Sequence, residues 1–80
     1  MTEAHIMEKL KEVLVEEFEV EEDEIHPGAD FFTDLELDSL DAIDLIVNMD
    51  KLLGVPLKSE DAQKIRTVDD FIKLIQSKSA

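Results

Sequence analysis

Apolar residues recur at helical spacing along this chain, but only in separated windows, and a long stretch between the first two windows has no such period. That pattern leaves few folds open. In the first window Ile6, Leu10, Val13, Leu14 and Phe18 share one face, with Glu8, Lys9, Lys11, Glu12 and Glu16 between them. The spacing predicts an amphipathic helix from Thr2 to Phe18, with Thr2 as its N-cap and the stripe as core. A second helix is expected from Ser39 to Leu53, capped by Asp38 or Ser39 and stopped by Gly54, with Pro56 just beyond. Ser59-Glu60-Asp61-Ala62 reads as a cap opening a short third helix that ends near Arg66. Thr67-Val68-Asp69-Asp70 has the spacing of a capping box, with Asp in place of the usual Glu. It opens a last helix carrying Val68, Phe71, Ile72 and Ile75. The tail from Ser77 to Ala80 is expected to fray. The expected architecture is all-α: a small four-helix bundle, three longer helices and one short, with a long loop between helices 1 and 2.

Within the loop, from Glu19 to Asp38, four acids stand in a row, Glu21-Glu22-Asp23-Glu24, followed by the turn signal His26-Pro27-Gly28. A structureless connection of that length is unusual in a compact domain. Ile25, Phe31, Phe32, Leu35 and Leu37 are expected to pin it across the bundle, with room for a short helical turn. The acid run reads as a solvated stretch.

Eighty residues make one domain, residues 1–80, and a chain this short buries only roughly 60–65% of the surface its unfolded form exposes. Little room is left for an enclosed active site. There is no cysteine, hence no disulfide staple and no thiolate metal site. Met1-Thr2-Glu3-Ala4-His5 does not read as a signal peptide, and no apolar stretch approaches the roughly 20 residues of a membrane span. The expectation is a cytoplasmic monomer. With 21 acids against 8 bases the net charge is −13. Nucleic acid and anionic membrane surfaces are poor partners for such a chain, and basic protein surfaces are natural ones.

The second helix is apolar on two sides. Successive helical residues turn by roughly 100°, so Ala42, Leu45, Ile46, Met49 and Leu53 form one broad stripe, the core face. Leu40, Ile43 and Val47 fall nearly opposite, with Asp44 and Lys51. A surface helix of a small bundle should be polar there. Either the loop folds over these residues, or they form an apolar strip rimmed by Asp41, Asp44 and Asn48, suited to transient docking. Both hold if Ile43 is half-covered while Leu40 and Val47 are exposed.

Ser39 stands at the start of that helix, in the run Asp34-Leu35-Glu36-Leu37-Asp38-Ser39-Leu40-Asp41. A nucleophilic serine needs a base. The histidines, His5 and His26, are distant in sequence and read as surface positions, and no nucleophile elbow surrounds Ser39. No catalytic residue is assigned. An EF-hand alignment of Asp34, Glu36 and Asp38 puts Ser39 where glycine is required and Leu45 where the bidentate glutamate belongs, so no metal site is assigned either. Weak, nonspecific divalent binding to the acid clusters is still expected. A helix start attracts anions, but Asp38 and Asp41 repel a free phosphate. A phosphate held there has to be covalent. On these grounds alone the reading of Ser39 as a plain capping serine wins.

Asp38-Ser39-Leu40-Asp41, opening an apolar helix after a long loop, resembles the attachment motif of acyl carrier proteins. Phe31-Phe32-Thr33-Asp34-Leu35 resembles the approach to that motif, and Leu53-Gly54-Val55-Pro56-Leu57 the exit from the second helix. Ala62-Gln63-Lys64-Ile65-Arg66-Thr67-Val68-Asp69-Asp70 resembles the lead into the last one. The resemblance covers nearly the whole chain. It implies a 4′-phosphopantetheine joined covalently to Ser39 by a phosphopantetheinyl transferase, with coenzyme A and magnesium. The arm's thiol then carries acyl groups as thioesters, for fatty acid or related lipid or polyketide synthesis, in a protein that is not itself an enzyme. It further implies that Asp38, Asp41 and Asp44 make ionic contacts, and Leu40, Ile43 and Val47 apolar ones, with basic docking patches on the transferase and on acyl-chain synthesis enzymes. The chain would lie between helices, near Leu45, Ile46, Phe31 and Ile65. Glu36 departs from the glycine usual in Leu-Gly-x-Asp-Ser, and any backbone conformation that glycine permits there is harder for glutamate. Lys51, Leu52 and Leu53 make the end of the second helix less acidic than in the common fatty-acid carriers. These departures bear on partner choice and leave a specialised carrier of a secondary pathway as the alternative. Peptidyl carriers usually lack the aspartate at the position of Asp41. A different class of reading is an unmodified acidic helical adaptor using the same face.

Overall fold

The computed structural model describes residues 2–79. Its elements are helix α1 (Glu3–Phe18), a 3₁₀ turn (Glu22–Glu24), helix α2 (Ser39–Leu53), a 3₁₀ helix (Ser59–Lys64) and helix α3 (Val68–Ser79). The all-α expectation of three longer helices and one short holds. The Cα radius of gyration is 11.1 Å, against roughly 12 Å for a compact chain of this length, so the long loop lies against the bundle.

Each helix begins where a side chain can take up free backbone donors. The Thr2 hydroxyl accepts from the His5 N–H at 3.2 Å. At α3 the Thr67 hydroxyl accepts from the Asp70 N–H, and Asp70 Oδ2 accepts from the Thr67 N–H, both at 3.1 Å. The Asp70 carboxyl is held below its ordinary value mainly by that Thr67 N–H. Helix α1 ends on Glu19 in the left-handed region, φ 56°, and the Val20 N–H reaches back to the Leu14 carbonyl. Gly54, φ 67°, closes α2 with its N–H on the Asp50 carbonyl. Glycine reaches that conformation freely, whereas Glu19 pays about 1 kcal/mol for it.

The core gathers Ile6, Leu10, Val13 and Leu14 of α1, Ala42, Leu45, Ile46 and Met49 of α2, and Val68, Phe71, Ile72 and Ile75 of α3. Phe31 packs edge-on against Phe71, with ring centroids 6.0 Å apart. Of the expected loop anchors, Ile25, Phe31, Leu35 and Leu37 are buried, while Phe32 is only half-buried. Val20 and Ala29 are buried as well. The helical turn of the loop is formed by the acid run itself.

Backbone bonds stitch the loop to the start of α3. Phe31 N–H donates to the Arg66 carbonyl, Val68 N–H to that of Ala29, and Asp69 N–H to that of Pro27. Arg66 Nε lies 2.7 Å from Asp30 Oδ2. Asp30 Oδ1 also accepts from the Phe32 and Thr33 N–H groups. The Thr33 bond is the largest influence holding the Asp30 carboxyl below its ordinary value.

Two expectations need correction. Ser59 does not cap the short helix. The cap position is Lys58, whose N–H donates to Asp61 Oδ2 at 2.9 Å; the helix ends at Lys64, close to the expected end near Arg66. The tail does not fray from Ser77, because α3 continues through Ser79 and Lys78 is tied at 3.3 Å to the fully buried Asp61. Ala80 lies outside the described residues.

Candidate functional site

The approach to Ser39 is built by two aspartates. Asp34 Oδ2 accepts from the Asp30 N–H at 2.8 Å, and the Asp34 and Leu35 N–H groups return to the Asp30 carbonyl. This folds residues 30–35 into a tight turn. The Leu37 N–H then bonds the Phe31 carbonyl, with Leu35 and Leu37 buried on either side of Glu36. Glu36 has φ 58°. That φ lies in the left-handed region, where glutamate lacks the freedom of glycine.

At the helix start the capping question is resolved. Asp38 Oδ1 accepts from the Asp41 N–H at 2.8 Å, and Asp41 Oδ2 accepts from the Asp38 N–H at 3.3 Å, a reciprocal capping box. Asp38 therefore does the capping that would otherwise have accounted for Ser39. Ser39 is the first helical residue and is exposed. A hydroxyl at that position, free of the cap and open to solvent, fits a bulky group bonded through its oxygen.

Around it, Leu40 is 71% exposed and Val47 43%, whereas Ile43 is half-buried against the core. Asp44 is exposed and Asp41 half-buried. The structure thus brings Asp38, Ser39, Leu40, Asp41, Ile43, Asp44 and Val47 onto one end and one side of α2. Lys51 is exposed further along the helix. Beside this face an open cleft of about 500 Å³ is flanked by Glu17, Glu19, Glu21, Glu24, Glu36 and Asp41, over Phe18, Val20, Leu35 and Leu37. The field about Ser39 is strongly negative and falls off over about 10 Å at moderate salt, so it favours a cationic approaching surface.

The residues expected near a carried chain, Phe31, Leu45, Ile46 and Ile65, lie within one core at no more than 4% exposure. Among the described residues, no group of three or more His, Asp or Glu side chains is placed to hold a metal ion. No helix of the described residues is long and apolar enough to cross a membrane. Sequence reasoning missed Asp61 and Lys78. Asp61 offers a signal only in retrospect: it stands three residues after Lys58, the spacing at which Asp70 follows Thr67.

The chain is similar to known proteins over nearly its whole length. The family described as "Phosphopantetheine attachment site" matches residues 8–75. An acyl carrier protein of Thermosynechococcus vestitus is 35% identical over 80 residues, covering 100% of this chain and 99% of that one. "Acyl carrier protein 2" of Ralstonia nicotianae is 36% identical over 77 residues, 96% of this chain and 95% of the relative. An acyl carrier protein of Solidesulfovibrio magneticus is 42% identical over 73 residues, 91% and 94% of the two chains.

Proposed function

The chain belongs to the acyl carrier proteins, whose phosphopantetheine-binding domain bears a covalently attached 4′-phosphopantetheine, and on that premise we propose that Ser39 is its attachment point. Acyl carrier proteins are carriers rather than catalysts. When bound, the prosthetic group supplies a thiol that this cysteine-free chain lacks. The observation that carries the assignment is the capping box: Asp38 and Asp41 satisfy the helix start between themselves, which leaves the exposed Ser39 hydroxyl available.

The remaining assignments follow from charge and exposure. Asp38, Asp41 and Asp44 attract a basic patch, and Leu40, Val47 and the uncovered part of Ile43 give it an apolar seat. The partners are a phosphopantetheinyl transferase and the enzymes of acyl-chain synthesis. The chain works as a single carrier domain in the cytoplasm, a monomer serving fatty acid or related lipid synthesis. The near-complete overlap with relatives named acyl carrier protein supports the single domain. The lower acidity at Lys51, Leu52 and Leu53 favours a specialised carrier as the second reading.

Incubation with coenzyme A, magnesium and a broad-specificity transferase tests the attachment. The chain is expected to gain the mass of one phosphopantetheine, and Ser39→Ala to gain none. A gain that survives Ser39→Ala, or no gain in the unaltered chain, would remove Ser39 from the role.

A further inference from the structure

The interior that would receive a carried chain is closed: Phe31 and Leu45 are wholly buried, Ile46 is 1% exposed and Ile65 4%. Space for a chain must come from moving an element. The 3₁₀ helix Ser59–Lys64 is the weakest of those that cover the interior. It is six residues long, and 3₁₀ hydrogen bonds have poorer geometry than α-helical ones. It lies on α2 and contributes Ala62, with Ile65 immediately after it. Both flanks are fixed. Val55 and Leu57 are buried ahead of it. Behind it, Arg66 is bonded to Phe31 through its carbonyl and to Asp30 through its guanidinium. The part that can swing is residues 58–65.

One side chain anchors that part. Asp61 is fully buried, the one charged side chain so placed among the described residues. Two of its partners belong to the same segment: the Lys58 N–H at 2.9 Å and Lys64 Nζ at 3.3 Å. The third comes from elsewhere. Lys78, in the last turn of α3, places Nζ 3.3 Å from Asp61 Oδ2. Asp61 Oδ1 has no hydrogen bond of good geometry, despite the nearby Lys64. A buried carboxylate short of one hydrogen bond gains hydration if its segment swings out, and loses an ion pair. The hydration gained therefore offsets part of the ion pair lost, which lowers the cost of opening the segment.

We propose that the Asp61–Lys78 pair is a latch: closed, it holds the Ser59–Lys64 helix on α2, and released, it opens the apolar interior behind Ala62 and Ile65 to the carried acyl chain. The latch rests on the carrier reading above for its purpose, but not for its mechanics. Lys78 is a positioning residue, acting through Asp61.

Hydrogen exchange on the unmodified chain reads the mechanics. Lys78→Gln is expected to speed exchange in residues 58–65 by about tenfold while the middle of α1 is unchanged, because only local opening becomes easier. Lys64→Gln, which leaves the tie to α3 in place, is expected to have a much smaller effect. Equal acceleration in all helices, no acceleration in residues 58–65, or equal effects of the two variants would overturn the latch. A second readout uses chains loaded with an octanoyl thioester. In Lys78→Gln the opening no longer has to be driven by the acyl chain, so loading should raise Tm more than it does in the unaltered protein. Equal gains would overturn the role in admitting the chain. A failure of the carrier reading shows separately, as the absence of any phosphopantetheine mass on the unaltered protein.

Discussion

Glu36 is where the sequence and the backbone disagree most openly. Its φ is 58° between the buried Leu35 and Leu37, and it lines a cleft with Glu17, Glu19, Glu21, Glu24 and Asp41. Glu36→Gly removes both the left-handed penalty and one repelling charge, at the cost of a freer unfolded chain. The net expectation is a gain of about 1 kcal/mol, which in a domain of this size raises Tm by roughly 4–8 °C. A thermal melt checks it. Glu19, with φ 56° at the end of α1, gives the same experiment elsewhere in the lining of that cleft, outside the Asp34–Asp41 run. If both substitutions stabilise but only Glu36→Gly changes the rate of modification by a transferase, the glutamate serves recognition. Asp38 has the opposite character, because it carries the capping bond to the Asp41 N–H. Asp38→Ala should cost about 1 kcal/mol, seen in the same melt.

At the scale of elements, α2 does two jobs that its sequence already separated. Ala42, Leu45, Ile46 and Met49 make its buried stripe, and Leu40 and Val47 stand out on the other side. Periodicity could reveal this because each residue's direction on a helix follows from its number alone. Asp41 shows the limit of that reasoning. Its angle places it on the rim of the docking face, yet it also closes the capping box, so altering it confuses folding with docking. Asp44 is exposed and its side chain has no part in the cap, so Asp44→Lys is the cleaner probe. It should slow modification by a basic transferase about tenfold, a loss of one good ionic contact, with the helical circular dichroism unchanged. Unchanged kinetics would take Asp44 out of the interface. The short helix was legible as an element but not in its anchoring. Ser59 offers the usual capping hydroxyl, whereas the bond that forms comes from Asp61 reaching back to Lys58. Lys78 looked like part of a loose tail because its partner lies 17 positions away, 78 minus 61, and no local pattern encodes such a pair. The loop between α1 and α2 was legible through its apolar residues. Its pairing with residues 66–69 was not, since backbone bonds leave no mark on composition.

The whole molecule is set by its charge. With −13 on 80 residues, self-repulsion opposes the compact state. Added sodium chloride or millimolar magnesium should raise Tm, and a flat or falling Tm would show that repulsion is not a destabilising term. Acid acts through a different set of groups. Asp30, Asp61 and Asp70 are all held below their ordinary value of 3.8, chiefly by backbone N–H donors, with burial opposing. Carboxyls lowered by folding contribute stability that is present above the unfolded value and lost as pH falls through the folded one. Stability should therefore decline below about pH 4, and Asp61→Asn should flatten that decline relative to the unaltered chain. On the proposed function, the same charge would draw basic enzymes to the Ser39 end, which would give the acid excess a function in a carrier. That function stands on one bond. Fragmentation mass spectrometry of the transferase-treated protein locates it most directly. The added phosphopantetheine should fall on the fragment containing Asp38-Ser39-Leu40 and on no other hydroxyl-bearing fragment. Its appearance on Thr33, Ser59 or Ser77 instead, or on several of them at once, would contradict the assignment.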